Sequence, residues 1–245
     1  TDMWNDQDIP TTDPRVRRAI GMAIDREAPV ERALFGYATD AHTLYNPAIG
    51  WLYDALGGDE PAAGHYYDPE RAAELLDEAG YTGEPRFEAS ILALPENERE
   101  LTVIQQQLSE VGIAVELDIQ QQSSYWDNTY RYQQLITEYG GAADVDPWMS
   151  DFKQFGYPNE ETTEGAWQRS LYFDEEFSEL LAEANATPEL DARAEVYQRI
   201  NEHFIEAAPY IPTVYPLNPK AFASGVSGVG IQAGLSNFHR ASLNE

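Results

Sequence analysis

The side chains best suited to chemistry are spread along this 245-residue chain without a spacing that defines a catalytic site. His203 and Glu206 lie one helical turn apart and can share a metal ion, but a solvated helix face has the same spacing. The stretch GVSG at residues 225–228 misses the spacing of a nucleophilic serine turn by one residue, and no glycine-rich phosphate-binding motif occurs. Acidic pairs arise everywhere by chance, and nothing selects one for glycosidase chemistry. These patterns favour a binding protein over an enzyme.

The composition excludes several partners and cofactors. Asp and Glu number 43 against 15 Lys and Arg, a net charge of −28, which would repel nucleic acid and anionic membrane surfaces. There is no cysteine, so disulfides, thiolate metal sites and iron–sulfur clusters are excluded, and no cofactor is predicted. The acidity does not imply disorder, because the 42% hydrophobic and 12% aromatic content can fill a packed core.

The acidity itself calls for an explanation. At molar salt the Debye length falls to about 3 Å, which screens repulsion among carboxylates and makes a dense acidic surface tolerable. Lysine is nearly absent: Lys153 and Lys220 are the two in the chain. We interpret the composition as an adaptation to high salt, the alternative being an ordinary acidic protein.

Apolar periodicity and capping residues predict an α/β protein. Six helices are expected, at residues 14–24, 29–35, 69–79, 95–111, 177–184 and 190–204. Strands are expected at residues 87–94 and 113–119, with a weaker one at 134–139 and an edge strand at 210–215. The unit from residue 87 to 119 is predicted to be a βαβ crossover. Residues 140–168, rich in Gly, Pro, Asp and aromatics, form the kind of long loop that carries function.

Five segments, in order, resemble one known family. Residues 13–27 read DPRVRRAIGMAIDRE, and residues 67–81 read YDPERAAELLDEAGY. The others are QQQLSEVGIAV at 105–115, YFDEEFSELLAEA at 172–184 and APYIP at 208–212. Together they are similar to the C-terminal half of the family 5 extracellular solute-binding proteins of ABC importers, the dipeptide/oligopeptide-binding group. Taken alone, each segment contains residues typical of helix starts, core positions and helix ends. The resemblance is therefore evidence for the fold and says less about the ligand.

The resemblance implies a type II periplasmic-binding-protein-like lobe, with a mixed sheet flanked by helices, in a two-lobed protein that closes on its ligand by hinge motion. Members of the family are roughly twice as long as this chain. Residues 1–215 are therefore expected to form the second lobe and residues 216–245 a return segment toward a first lobe that lies outside the chain. The export signal or lipid anchor is expected to lie outside it as well, which would place the protein outside the cytoplasm.

In peptide-binding members, an acidic residue shortly before an Asp-Pro or Glu-Pro pair binds the ammonium group of the peptide. The matching region here is residues 139–148, YGGAADVDPW. When the loop is aligned with the family, the position of this acidic residue falls on Ala143. Asp144 takes the role if the loop is one residue shorter than in the family. Asp146 is either a second ligand contact or a turn residue before its proline. Four aromatic residues can line the pocket or pack in the core: Tyr125, Trp126, Tyr139 and Trp148.

The function implied by the resemblance is solute binding outside the membrane and delivery to an ABC permease, with a peptide-like ligand and no bond made or broken. Two other functions stay open at this stage: a ligand sensor or chaperone-like module on the same fold, and a hydrolase. The residues do not distinguish a dipeptide from a longer peptide, a sugar, an opine or a metal chelate.

Overall fold

The computed structural model describes residues 9–43, 45, 47–58, 66–129, 135–136, 174–217, 219–232 and 235–243. The helices are α1 Pro14–Ala23, α2 Glu27–Arg32, α3 Gly50–Ala55, α4 Pro69–Glu78, α5 Glu98–Glu110, α6 Gln122–Thr129, α7 Glu175–Ala186 and α8 Leu190–Ala207. The strands are β1 Ala38–Asp40, β2 Phe87–Ala93, β3 Ile113–Ile119, β4 Leu135–Ile136, β5 Val214–Pro216, β6 Val226–Ser227, β7 Gly230–Gln232, β8 Leu235–Asn237 and β9 Ser242–Leu243. Short 3-10 turns at Pro10–Thr12 and Pro95–Asn97 precede α1 and α5.

Three helices begin at an aspartate whose side chain satisfies a free backbone N–H. Asp13 accepts a hydrogen bond from the N–H of Arg15 at 2.8 Å, and Asp68 accepts one from the N–H of Arg71 at 2.9 Å. The prolines that follow these two aspartates occupy the first turn, where no N–H is needed. Asp174 caps α7 in the same way. The starts predicted for α1 and α4 are confirmed.

The predicted βαβ unit is the centre of the first core. β2 and β3 are parallel neighbours, and α5 connects them. β4 pairs in parallel with the other side of β2. Helices α1, α4 and α5 pack apolar side chains against one another and against this sheet. Buried residues of this core include Val16, Ile20, Leu75, Leu76, Ile91, Leu101, Ile104, Leu108 and Ile113.

A second core lies between α3, α7 and α8. Tyr197 of α8 is fully buried, and its ring meets those of Tyr45 and Trp51 edge to face, with centroids 5.3 and 6.1 Å apart. Phe177 and Phe204 are also fully buried in this core. Within the described parts of the chain, none of the helices is long and apolar enough to cross a membrane.

Short antiparallel strand pairs make up the remaining sheets. β1 pairs with β5, and we call this pair the ribbon; Thr39 lies opposite Tyr215. β6 pairs with β9, and β7 pairs with β8. At Gly228 φ is +72°, and a Cβ there would overlap the backbone oxygen of Arg240, so this turn requires glycine.

Several predicted boundaries differ from the structure. The helix expected at 29–35 is α2, which begins at Glu27 and ends at Arg32; Phe35 has a positive φ of 53° and belongs to the turn after it. The helix expected from Pro95 starts with a 3-10 turn before α5. The strand at 210–215 is confined to β5, because Pro212 supplies no N–H for pairing. The weak strand at 134–139 is described only at β4. The composition and the periodicity of apolar residues did not predict β1, α3, α6 or the strands β6 to β9.

Candidate functional site

The three strands of the parallel sheet end at one edge. Ala93 at the end of β2 lies opposite Ile119 at the end of β3, and Leu92 lies opposite Ile136 at the end of β4. In open α/β sheets, ligands bind in the crevice outside the carboxyl ends of the strands. In the sequence, the predicted ligand loop follows β4, and it lies outside the described residues.

Four of the predicted ligand contacts lie outside the described residues. These are Tyr139, Asp144, Asp146 and Trp148, and the prediction for each of them stands as it was made. The other two, Tyr125 and Trp126, are described and lie on α6, which follows β3 at the carboxyl edge.

Tyr125 and Trp126 have different environments. Tyr125 is fully buried in a small core with Leu92 and Leu94, the residues where β2 ends. Trp126 packs against this core from outside, edge to face with Tyr125 at 5.1 Å between ring centroids, and keeps part of its surface in water. Tyr125 thus supports the edge from within, whereas Trp126 is the better placed of the two to meet a solute. A contact between either ring and a ligand remains a prediction.

A chain of polar side chains holds the turn between β3 and α6. The backbone N–H of Gln120 donates to the oxygen of Ala93 at 2.8 Å, and its side-chain amide donates to Asp118, also at 2.8 Å. Asn128 of α6 donates to the side-chain oxygen of Gln120 at 2.8 Å. These bonds set the position of α6 and therefore of Trp126. No sequence pattern marked these residues, because a side-chain bond across eight positions produces no periodicity.

His203, which the sequence analysis considered as a metal ligand together with Glu206, contacts other carboxylates in the structure. His203 of α8 points toward the start of α7, with Nε2 3.1 Å from a carboxylate oxygen of Asp174 and Nδ1 3.8 Å from one of Glu176. Among the described residues, no group of three or more His, Asp or Glu side chains has the arrangement of a metal site. His203 joins the two helices of the second core.

The ribbon lies beside the N-terminal end of α5, and the two elements carry one largely buried titratable group each. The Tyr215 hydroxyl lies 2.5 Å from the backbone oxygen of Thr43 and 3.0 Å from that of Tyr45, and burial raises its pKa. Glu100, in the first turn of α5, accepts a hydrogen bond from the Thr213 hydroxyl at 3.0 Å. Burial raises the pKa of the Glu100 carboxyl, and this hydrogen bond only partly opposes it.

The raised pKa of Glu100 predicts a loss of stability with rising pH. Between its ordinary pKa of 4.5 and the higher folded value, the folded chain binds more protons than the unfolded chain, so the free energy of unfolding falls as pH rises through this window. Glu100→Gln removes that titration while keeping an oxygen that can accept from Thr213. We expect the variant to be at least as stable as the wild type at pH 7 and to lose its advantage near pH 4, measured by urea unfolding at both values.

Glu98→Gln is the matched control, because Glu98 is an exposed carboxylate in the same first turn of α5. It tests the loss of a negative charge at the N-terminal end of the helix without the buried environment. If Glu100→Gln followed the pH dependence of the wild type, burial of this carboxyl would not be the source of the effect.

Residues 3–163 match the family described as bacterial extracellular solute-binding proteins, family 5 Middle. This range contains three of the segments that suggested the resemblance, together with the carboxyl edge and the predicted ligand loop.

Curated relatives match over nearly the whole chain. The glutathione-binding protein GsiB of Shigella flexneri is 26% identical over 232 residues, which are 91% of this chain and 43% of that protein. The nickel-binding periplasmic protein of Escherichia coli K12 is 26% identical over 227 residues, 86% of this chain and 41% of that protein. The chain therefore spans somewhat less than half the length of the curated relatives it matches.

Solved structures show the same fold. The periplasmic binding protein DppA of Helicobacter pylori, associated with an ABC transporter and solved in complex with the peptide STSA, superimposes with a TM-score of 0.77 and 23% identity. The match covers 96% of this chain and 45% of that one. The expectation of a periplasmic-binding-protein fold is confirmed.

Proposed function

Because this chain belongs to the family 5 bacterial extracellular solute-binding proteins, we propose that it binds a small, peptide-like solute at the carboxyl edge of its parallel sheet and delivers it to an ABC permease. The observation that carries the proposal is the common edge at which β2, β3 and β4 end, because the loop with the predicted ammonium-binding aspartate follows β4. Relatives named for glutathione and for a peptide complex support a peptide-like ligand, and a relative named for nickel keeps metal chelates as the alternative.

We propose the following organisation for the whole protein. Residues 1–215 belong to the second lobe, and residues 216–245 return toward a first lobe. The length of the relatives supports this proposal, as do three exposed apolar side chains of the return segment, Phe222, Phe238 and Leu243. Isolated two-stranded pairs such as β6–β9 and β7–β8 are marginal in water, which also favours packing against another body.

The relatives include periplasmic proteins, which supports a site of action outside the cytoplasm, and anchoring to the membrane is part of the same proposal. The charge of −28 supports adaptation to high salt. Under such screening, an exposed ion pair with a ligand would contribute little, so recognition of a charged solute depends on a cleft that excludes water.

Asp144→Ala in the full natural protein tests the solute site. If Asp144 faces the ligand ammonium out of water, the charge-assisted contact is worth about 1.5–3 kcal/mol, so the dissociation constant should rise at least about tenfold. The probes are glutathione and the peptide Ser-Thr-Ser-Ala, measured by isothermal titration calorimetry at 0.15 and 3 M KCl. N-acetylation of the peptide should weaken binding to the wild type and leave the variant little changed.

Asp146→Ala is the comparison, since Asp146 lies two positions after Asp144 and is the other acidic candidate in this loop, immediately before Pro147. If Asp144 binds the ammonium group, Asp144→Ala should lose more affinity than Asp146→Ala does. Equal affinities of the wild type and Asp144→Ala for a solute that the protein binds would remove Asp144 from the site. Absence of binding to either probe, together with no co-purified solute in native mass spectrometry, would contradict the proposed function as a whole.

A further inference from the structure

The side-chain hydrogen bonds that join β3 to α6 run in one direction. We call the three residues that make them, Asp118, Gln120 and Asn128, the polar chain, and all three are half-buried. The Asp118 carboxylate at one end accepts hydrogen bonds and, as an anion, has none to donate. The Gln120 amide therefore turns its nitrogen to Asp118 and its oxygen to Asn128, which donates to it. One carboxylate thus fixes the orientation of both amides.

Helix α6 depends on contacts with the rest of the fold. It has 8 residues, and a helix this short is not stable in water by itself. Among the residues of α6 whose side chains the structure describes, Tyr125 is the one that is fully buried, in the core with Leu92 and Leu94. A single anchor leaves a helix free to rotate about that point. Asn128, about one turn further along, supplies the second attachment through the polar chain.

Trp126 lies between these two attachments. Its side chain is half-buried and meets the ring of Tyr125 edge to face, with the centroids 5.1 Å apart. The polar chain is itself fastened to the carboxyl end of β2, because the backbone N–H of Gln120 donates to the oxygen of Ala93. The orientation of the tryptophan is therefore set from the edge of the sheet at which the solute is proposed to bind.

We propose that the three residues of the polar chain are positioning residues for solute binding, which hold Trp126 in the orientation in which its ring contacts the solute. None of the three touches the solute in this arrangement, and each acts through the tryptophan. A ring that is already oriented loses little conformational freedom on binding, so the polar chain raises affinity by preorganisation. This inference rests on the proposed function and on the predicted contact of Trp126.

Asn128→Asp in the full natural protein tests the polar chain at almost constant side-chain volume. A carboxylate at position 128 cannot donate to the Gln120 oxygen, and reversing the Gln120 amide would set that oxygen against Asp118. The dissociation constant of the probe that the wild type binds, glutathione or Ser-Thr-Ser-Ala, should rise at least about fivefold in isothermal titration calorimetry. With fluorotryptophan incorporated, the fluorine resonance of Trp126, identified by its loss in Trp126→Phe, should shift in the solute-free protein.

The double variant Asp118→Asn, Asn128→Asp reverses the polar chain and keeps the net charge. The amide at position 118 can donate to the Gln120 oxygen, and the Gln120 nitrogen can donate to the carboxylate at position 128. Affinity and resonance should both return toward the wild-type values, which neither a general loss of stability nor a lost solute contact would produce. Ser124→Asp is the matched control, because it adds the same charge at an exposed position of α6, and it should change neither quantity.

Unchanged affinity in Asn128→Asp would overturn the inference while leaving the proposed function intact, whether or not the resonance of Trp126 shifts. A double variant that recovers the resonance but not the affinity would assign a direct solute contact to Asp118 or Asn128, and this result also overturns the positioning role. A wild type that binds neither probe and carries no co-purified solute would overturn both proposals.

Discussion

Arg17→Met is expected to lower the free energy of unfolding by about 3–5 kcal/mol. The Arg17 guanidinium is buried and donates to the backbone oxygens of Thr11, Thr12 and Ala207, each at 2.8 Å. It therefore joins the turn before α1 to the last residue of α8, across 190 positions of sequence. Methionine fills much of the volume but leaves these three carbonyl oxygens without their donor. Urea unfolding followed by circular dichroism measures the loss.

Arg17→Lys separates geometry from charge, because an ammonium keeps the charge but lacks the planar fork that reaches carbonyls on two elements. It should recover only part of the lost stability. Arg199→Met, which removes an exposed arginine paired with Glu183, should change the free energy of unfolding little, because solvent screens this pair. A cost for Arg17→Met as small as that of Arg199→Met would show that α1 and α8 do not depend on this side chain.

Arg26→Met is expected to cost about 2–4 kcal/mol and to open the ribbon locally. Its guanidinium is buried, and Nε donates to the oxygen of Pro212 at 2.9 Å, just before β5. Burial lowers its pKa to about 10, opposed by the charges of Asp40 and Asp25, so it remains a cation at neutral pH. Removing it leaves the carbonyl of Pro212 without this donor and takes away the guanidinium charge near Asp40.

Hydrogen exchange locates this second effect. The N–H of Ala41 donates to the oxygen of Thr213 at 3.1 Å and reports whether β1 and β5 stay paired. Exchange at Ala41 should accelerate in Arg26→Met by more than the global loss of stability explains. Arg32→Met, an exposed change on α2, should alter neither quantity by more than about 0.5 kcal/mol. Uniformly faster exchange across the chain would show that Arg26 supports the whole fold and not the ribbon in particular.

Local signals predicted six of the eight described helices, because the causes of those six are local. An aspartate that caps the next N–H acts within three residues, and Asp13 and Asp68 each do so. The stripe in α4 indicated its buried face correctly, since Leu75 and Leu76 are core residues. The parallel pairing of β2 and β3 followed from the connecting helix, which an antiparallel hairpin would not need.

The errors also have physical causes. α2 ends at Arg32 because the turn that leads into β1 needs two successive residues with positive φ, Phe35 and Gly36, and phenylalanine does not indicate such a turn. β1 is three residues long, too short for an alternating pattern, and its pairing with β5 joins positions more than 170 residues apart. The candidate site was also predicted only in part. Its loop was predicted from family motifs, whereas the hydrogen bonds of Gln120 could be found only in the three-dimensional structure.

By itself, the sequence determined six of the eight described helices, the βαβ unit and the acidic character, since capping, periodicity and charge act between neighbours or through the chain's composition. Its motifs, taken in order, indicated the family. Tertiary structure alone decided that two arginines of the same motif, Arg17 and Arg26, are buried, while Arg32 and Arg99 remain exposed. It also placed Tyr125 in the core and Trp126 at the surface. The reason is that the environment of a side chain depends on which distant carbonyls, carboxylates and rings the fold brings to it.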